Sequence, residues 1–98
     1  MLLKWTDLAD IDLDKIEAHI AKKNSNLVTI DVVMGIVDSV YLILPDHPRA
    51  GRQGRLKNTR ELVIDGYPFI VIYRERISTN TVEILRVLHD AQRWPTTN

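Results

Sequence analysis

Five cationic side chains, Arg49, Arg52, Arg55, Lys57 and Arg60, occur in close succession with no carboxylate between them. A block of this kind can neutralise phosphate or hold an acidic partner. The same composition also describes a polar loop kept soluble by its charge, and composition alone does not separate the two. Pro45, Pro48, Gly51 and Gly54 interrupt any regular element through this stretch, so the block belongs to a loop spanning Pro45 to Asn58. Other reactive chemistry is sparse. The chain has no cysteine, which excludes disulfides, thiolate metal sites and cysteine nucleophiles. His19 and His47 have no partner at metal-ligand spacing, so neither a metal nor a cofactor is expected.

A chain of 98 residues is expected to be one domain, residues 1–98, with one small core. Its apolar share of 45% is that of a globular protein. The net charge is zero but unevenly spread: residues 1–48 carry four lysines against eight acids, and residues 49–98 carry nine basic residues against five acids. The halves are therefore of opposite sign. The apolar run from Tyr67 to Tyr73 is too short to span a bilayer, and Lys4 follows directly on Met1-Leu2-Leu3 with no leader pattern. The expectation is a soluble, cytoplasmic protein with no membrane contact.

The elements that must position the basic loop are legible from periodicity. Leu2, Leu3 and Trp5 read as a short strand, with Trp5 in the core. Thr6 or Asp7 can cap a helix whose apolar stripe is Ala9, Leu13, Ile16 and Ile20. Early acids (Asp10, Asp12, Asp14) and late lysines (Lys22, Lys23) match the helix dipole. After the turn Asn24-Ser25-Asn26, a second helical pattern runs from Leu27 to Leu44 and stops before Pro45. Gly35 within it costs about 1 kcal/mol relative to alanine unless it permits a close approach. Two amphipathic helices joined by a short turn predict an antiparallel αα-hairpin. Beyond the loop, Glu61–Ile64, Phe69–Arg74 and Thr81–Leu88 are strand patterns, separated by the hairpin signal Asp65-Gly66 and by Ser78-Thr79-Asn80. The order β-α-α-β-β-β predicts an α+β domain, a twisted antiparallel sheet packed by an N-terminal helical hairpin.

The segments Thr59–Ile64, Gly66-Tyr67-Pro68-Phe69-Ile70-Val71-Ile72-Tyr73-Arg74 and Val82–His89, closing on Trp94-Pro95, resemble the RelE/ParE toxins of type II toxin–antitoxin systems. Asp12-Leu13-Asp14-Lys15-Ile16 and Pro48-Arg49-Ala50-Gly51-Arg52 also look like that family, so the similarity spans nearly the whole chain. The resemblance implies a growth-arresting toxin of RelE/ParE fold. It also implies neutralisation by a cognate antitoxin whose C-terminal segment wraps it as helix and strand. An apolar groove flanked by basic residues would suit such a partner, and Phe69, Tyr73, Leu88 and Trp94 are the candidates to line it.

Two mechanisms share that fold: cutting mRNA in the ribosomal A site, as RelE-like members do, and poisoning DNA gyrase, as ParE-like members do. Phosphodiester cleavage by a 2′-hydroxyl needs a base, an acid and cationic stabilisation of the phosphorane. His89 is the candidate acid or base, Glu61 the candidate base, and Arg60, Arg86 and Lys57 the candidate phosphate ligands. Tyr73 could stack on a base. Each has a structural alternative: Glu61, Arg60 and Arg86 as cross-strand charge pairs, Tyr73 and Phe69 as core, and Trp94 as an anchor for the tail. Ribonuclease members resemble Arg-Leu-Val-Tyr at the start of the central strand, whereas this chain has Ile70-Val71-Ile72-Tyr73. An aliphatic side chain cannot stabilise a phosphorane. The tail, Asp90-Ala91-Gln92-Arg93-Trp94, also lacks the basic and tyrosine cluster of those nucleases. The favoured expectation is therefore a ParE-like, non-catalytic gyrase poison. Its basic loop (Arg49, Arg52, Arg55, Lys57, Arg60), with Arg86 and Arg93, would touch the target. A RelE-like endoribonuclease bound to ribosome and mRNA is the alternative, followed by a degenerate member that keeps only antitoxin binding.

Overall fold

The computed structural model describes residues 1–95; residues 96–98 of the expected domain lie outside the described range. Strand β1 (Leu2–Trp5) leads into helix α1 (Asp7–Ala21) and helix α2 (Asn26–Ile43). The rest is sheet: β2 (Arg52–Gln53), β3 (Arg60–Val63), β4 (Phe69–Arg76) and β5 (Thr81–His89). The helices start where the sequence supplies caps. The Thr6 hydroxyl accepts from the Ala9 amide at 3.2 Å, and the Ser25 hydroxyl accepts from Val28 at 3.3 Å. Thr6 also donates to the Ile84 carbonyl at 2.9 Å, which ties the start of α1 to β5.

The five strands lie in the order β1-β5-β4-β3-β2. The hairpin β3–β4–β5 is antiparallel, as its turn residues predict, and Gly66 in the first turn takes φ 82°. The sheet is mixed, however, because β1 pairs parallel with β5, Leu2 opposite Thr81 and Trp5 opposite Ile84. Parallel partners need a long crossover, here both helices and three strands, so no local turn signal announces the pairing. The extra strand β2 is two residues long, too short for any period to show. A bulge falls where Tyr73 opposes Ile84 and Ile72 opposes Arg86, leaving Leu85 without a partner.

Apolar side chains pack on both faces of the sheet. On one, Leu62, Val71, Tyr73, Val82, Ile84 and Val87 meet the helices through Ala9, Ile36, Val40 and Leu44. On the other, Ile70, Ile72 and Leu88 form a smaller cluster beneath Leu85 and Trp94. Gly35 does permit a close approach: a Cβ there would lie 2.9 Å from the Tyr67 ring, which rests on α2. Helix α2 is long and apolar enough to cross a bilayer by length and composition. In the fold, its Ile36 and Val40 close the core, while Leu27, Ile30, Met34 and Tyr41, at helical spacing, remain exposed along another side.

Candidate functional site

The basic loop is built around one buried carboxylate. Glu61 sits opposite Arg52 in the β2–β3 ladder and is only 2% exposed. Its Oε1 accepts from Arg52 Nη2 at 3.1 Å, and its Oε2 accepts from the Arg55 amide at 3.1 Å. The Arg55 guanidinium lies 3.6 Å from the same oxygen and reaches across to donate to the Trp94 carbonyl at 3.0 Å. A second anchor is Gly51, whose amide donates to the buried Tyr73 hydroxyl at 2.8 Å and whose carbonyl accepts from Arg60 at 2.9 Å. A Cβ on Gly51 would stand 2.8 Å from the Glu61 carbonyl oxygen, so backbone would have to move. Gly51→Ala is therefore expected to cost about 1–3 kcal/mol in urea unfolding, the usual penalty for overpacking. A loss under about 0.5 kcal/mol, ordinary for a surface site, would show that the loop yields freely.

Asp12, which the sequence left unassigned beyond the helix dipole, organises a second cluster. Only 6% exposed, it accepts from Arg86 through both oxygens, at 2.7 and 3.0 Å, and from the Val87 amide at 3.0 Å. Strand β1 ends opposite Ile84, so Asp12 pairs a β5 amide that lies beyond its reach. The hydrogen bonds from Arg86 to Asp12 raise the guanidinium pKa above its ordinary value, against a smaller opposing effect of burial. On its other side Arg86 stacks over Trp94, 5.3 Å from the ring centroid. A signal was present: Asp12 lies three residues after Ala9 and four before Ile16, on the core-facing stripe of α1.

The four candidate nuclease groups fall in two places: Arg86 and His89 line one pocket of about 300 Å³ with Asp12 and His19, while Glu61 and Arg60 lie apart from it, tied to the basic loop. Glu61 and Arg86 oppose Ile72 and share the face of the small cluster. Arg60 opposes Tyr73 and His89 opposes Phe69, which places both on the helical face. By strand geometry Glu61 and His89 are about 14 Å apart at Cα and on opposite sides of the sheet. His89 meets the Phe69 ring edge-on at 5.7 Å, and its Nδ1 accepts from the Ala91 amide at 3.1 Å. Lys57 and Arg93 are exposed, as is Arg49, which lies 3.6 Å from Glu75. Among the expected groove residues, Phe69, Tyr73 and Leu88 are at most 8% exposed and Trp94 is half-buried. Phe69 borders the pocket that holds Arg86 and His89, whereas Tyr73 and Leu88 are covered and Trp94 packs on the face away from the helices. A run of uncovered apolar side chains lies on the helical hairpin, where Ile30, Val33 and Met34 with Glu17 and Thr29 line a crevice of about 120 Å³.

Two ionisable groups set a pH dependence. Hydrogen bonds, first from Arg74 and then from Arg76, hold the Glu83 carboxyl below its ordinary range despite some desolvation. Burial pushes the Tyr73 phenol above its ordinary value, partly offset by the Gly51 amide and by Arg60. Glu83 thus contributes stability that is present above the carboxylate range and lost as pH falls through its depressed folded pKa. Tyr73 favours the fold fully below about pH 10, and its contribution fades as pH rises through its elevated folded pKa. Urea unfolding across pH should show both limbs, with Glu83→Gln flattening the acid limb and Tyr73→Phe the alkaline one.

Comparisons with known proteins agree with this architecture. Residues 3–94 match the family model described as the ParE toxin of the type II toxin–antitoxin system parDE. A Sinorhizobium fredii protein named "Putative toxin Y4kP" is 38% identical over 93 residues, covering 95% of this chain and 92% of its own length. A structure of a chromosomal ParDE system from P. aeruginosa superimposes with a TM-score of 0.82 at 29% identity, over 91% of this chain and 95% of that one. The RelBE2 toxin–antitoxin complex of Mycobacterium tuberculosis shares the fold, with a TM-score of 0.66 at 24% identity over 90% and 95% of the two chains. The chain belongs to the ParE toxin family of type II toxin–antitoxin systems, within the RelE/ParE superfamily.

Proposed function

We propose that this toxin acts in the cytoplasm by poisoning DNA gyrase and is held inactive at rest by a cognate antitoxin. The observation that carries the reading is the separation of Glu61 and Arg60 from the pocket that holds Arg86 and His89, with Ile70 where a catalytic arginine would stand. Glu61 is further committed to Arg52 and Arg55, and Arg86 to Asp12. A poison needs a rigid surface rather than an acid–base pair, and the clamped basic loop with Arg93 supplies one. The antitoxin is assigned to the exposed stripe Leu27, Ile30, Met34 and Tyr41, which an amphipathic helix could cover.

Purified toxin should inhibit gyrase supercoiling or trap cleaved DNA while leaving ribosome-bound mRNA intact. Codon-positioned cuts in mRNA with normal supercoiling would reverse the assignment. Growth that continues on expression of a folded toxin without its antitoxin would mark a member that keeps only antitoxin binding. The endoribonuclease reading draws on two observations, the row Glu61, Ile72, Arg86 on a single face and the pocket shared by Arg86 and His89. It requires that Arg86→Ala abolish cleavage in a folded protein.

A further inference from the structure

A cleft of about 620 Å³ opens between the basic loop and the end of β4, and its cations are Arg49, Lys57, Arg60, Arg74 and Arg76. We propose that this cleft binds the phosphodiester backbone of duplex DNA. The inference does not depend on which target the toxin attacks.

The charge is in real excess. Arg74 and Arg76 share the single carboxylate of Glu83, and Arg49 has Glu75, which is the only acid lining the cleft among the described residues. Arg60 spends one N–H on the neutral Gly51 carbonyl, so its charge is uncompensated. Lys57 is exposed and forms no ion pair among the described residues. Five cations thus face two carboxylates, and Gln53, Asn58 and Thr59 line the same cleft as polar groups.

The lining also selects among polyanions. Among the described residues it contains no aromatic ring, so it has no platform on which the bases of a single strand could stack. Leu56 is its only large apolar side chain among the described residues, whereas a protein interface is apolar at its centre. What remains is a surface for phosphates at regular spacing, which contacts the backbone and leaves the bases unread. Six exposed acids, Asp7, Asp10, Asp14, Glu17, Asp31 and Asp38, lie on the helices, and the exposed Asp46, Asp65 and Asp90 lie outside them without lining the cleft. The six on the helices repel a polyanion from the helical layer, so the field of the whole molecule turns the cleft toward DNA.

The test uses the full chain free of antitoxin and a short fluorescein-labelled duplex of random sequence, read by fluorescence anisotropy with no gyrase present. Three neutralised phosphates predict a log–log salt slope near −2.7, hence about 40-fold weaker binding between roughly 50 and 200 mM salt. Lys57→Glu, at an exposed unpaired position, should weaken binding at least about tenfold at low salt and move the slope toward −1.8. Arg60→Gln should act in the same direction, so a folding defect in one variant leaves the other decisive. Unrelated duplex sequences should bind alike. Failure to bind duplex at low salt would overturn the proposal, as would unchanged affinity in both variants. Tighter binding of single-stranded DNA, single-stranded RNA or a polyglutamate peptide than of duplex would overturn it too. Because gyrase is absent, none of these results bears on the target reading, which stands or falls on supercoiling.

Discussion

Asp12→Ala is expected to destabilise the domain by about 3 kcal/mol, the low end of the cost of breaking a buried ion pair. The low end applies because the Arg86 side chain keeps 23% of its exposure and can partly rehydrate. Two losses combine: Arg86 is left charged beneath Trp94, and the Val87 amide loses its acceptor. For a domain of this size the midpoint of thermal unfolding should fall by on the order of 10–20 °C. Asp12→Asn should cost less, since its amide oxygen can still accept from Val87. The double variant Asp12→Leu with Arg86→Met should recover much of the loss, because the pair itself contributes less than its half-removal costs. Urea unfolding of the three variants checks the order. An Asp12→Ala loss below about 1 kcal/mol would mean that water replaces both partners and that the contact is a surface pair.

That carboxylate shows where sequence reading succeeds and where it stops. Alternation and turn chemistry made β3, β4 and β5 legible, because Asp65-Gly66 and Ser78–Asn80 act within a few residues of the strands they join. The parallel β1–β5 pair joins Leu2 to Thr81, and no local preference encodes a partner so distant in sequence. The bulge that leaves Leu85 unpaired is equally silent: Val82, Ile84, Leu85, Val87 and Leu88 read simply as a strand buried on both faces.

The site follows the same division. The basic block stood out from its spacing alone, but how its charges are used did not. Arg52 and Arg55 are committed to Glu61, while Arg60 and Lys57 face the cleft, and only the fold distinguishes them. Likewise, Tyr73 and Leu88 have the side chains of a groove, yet the layers above and below cover them, and of the three expected groove residues Phe69, Tyr73 and Leu88 only Phe69 borders a pocket among the described residues. A continuous apolar stripe is left open on α2, whose helical period is plain in the sequence but whose apolar face is wider than the sheet buries.

The basic loop should respond as a unit to the loss of Glu61. Glu61→Ala removes the acceptor for the Arg55 amide and the counter-charge for two guanidiniums, at an expected cost of about 2–3 kcal/mol. The cost is limited because the side chains of Arg52 and Arg55 are 56% and 42% exposed and can turn to water. Glu61→Gln keeps the volume and one acceptor, so it should lose only about 1 kcal/mol. The distinguishing measurement is hydrogen exchange. In Glu61→Ala the amides of Gly51 and Arg55 should exchange well before the β4 and β5 amides, since the clamp is local and the core is not touched. Uniform loss of protection across the sheet would instead make Glu61 part of the global core. The same pair of variants separates structure from chemistry. A catalytic base would lose its activity in Glu61→Gln as completely as in Glu61→Ala, whereas a clamp should keep most of the toxin's effect in the isosteric variant and lose it only when the loop comes free.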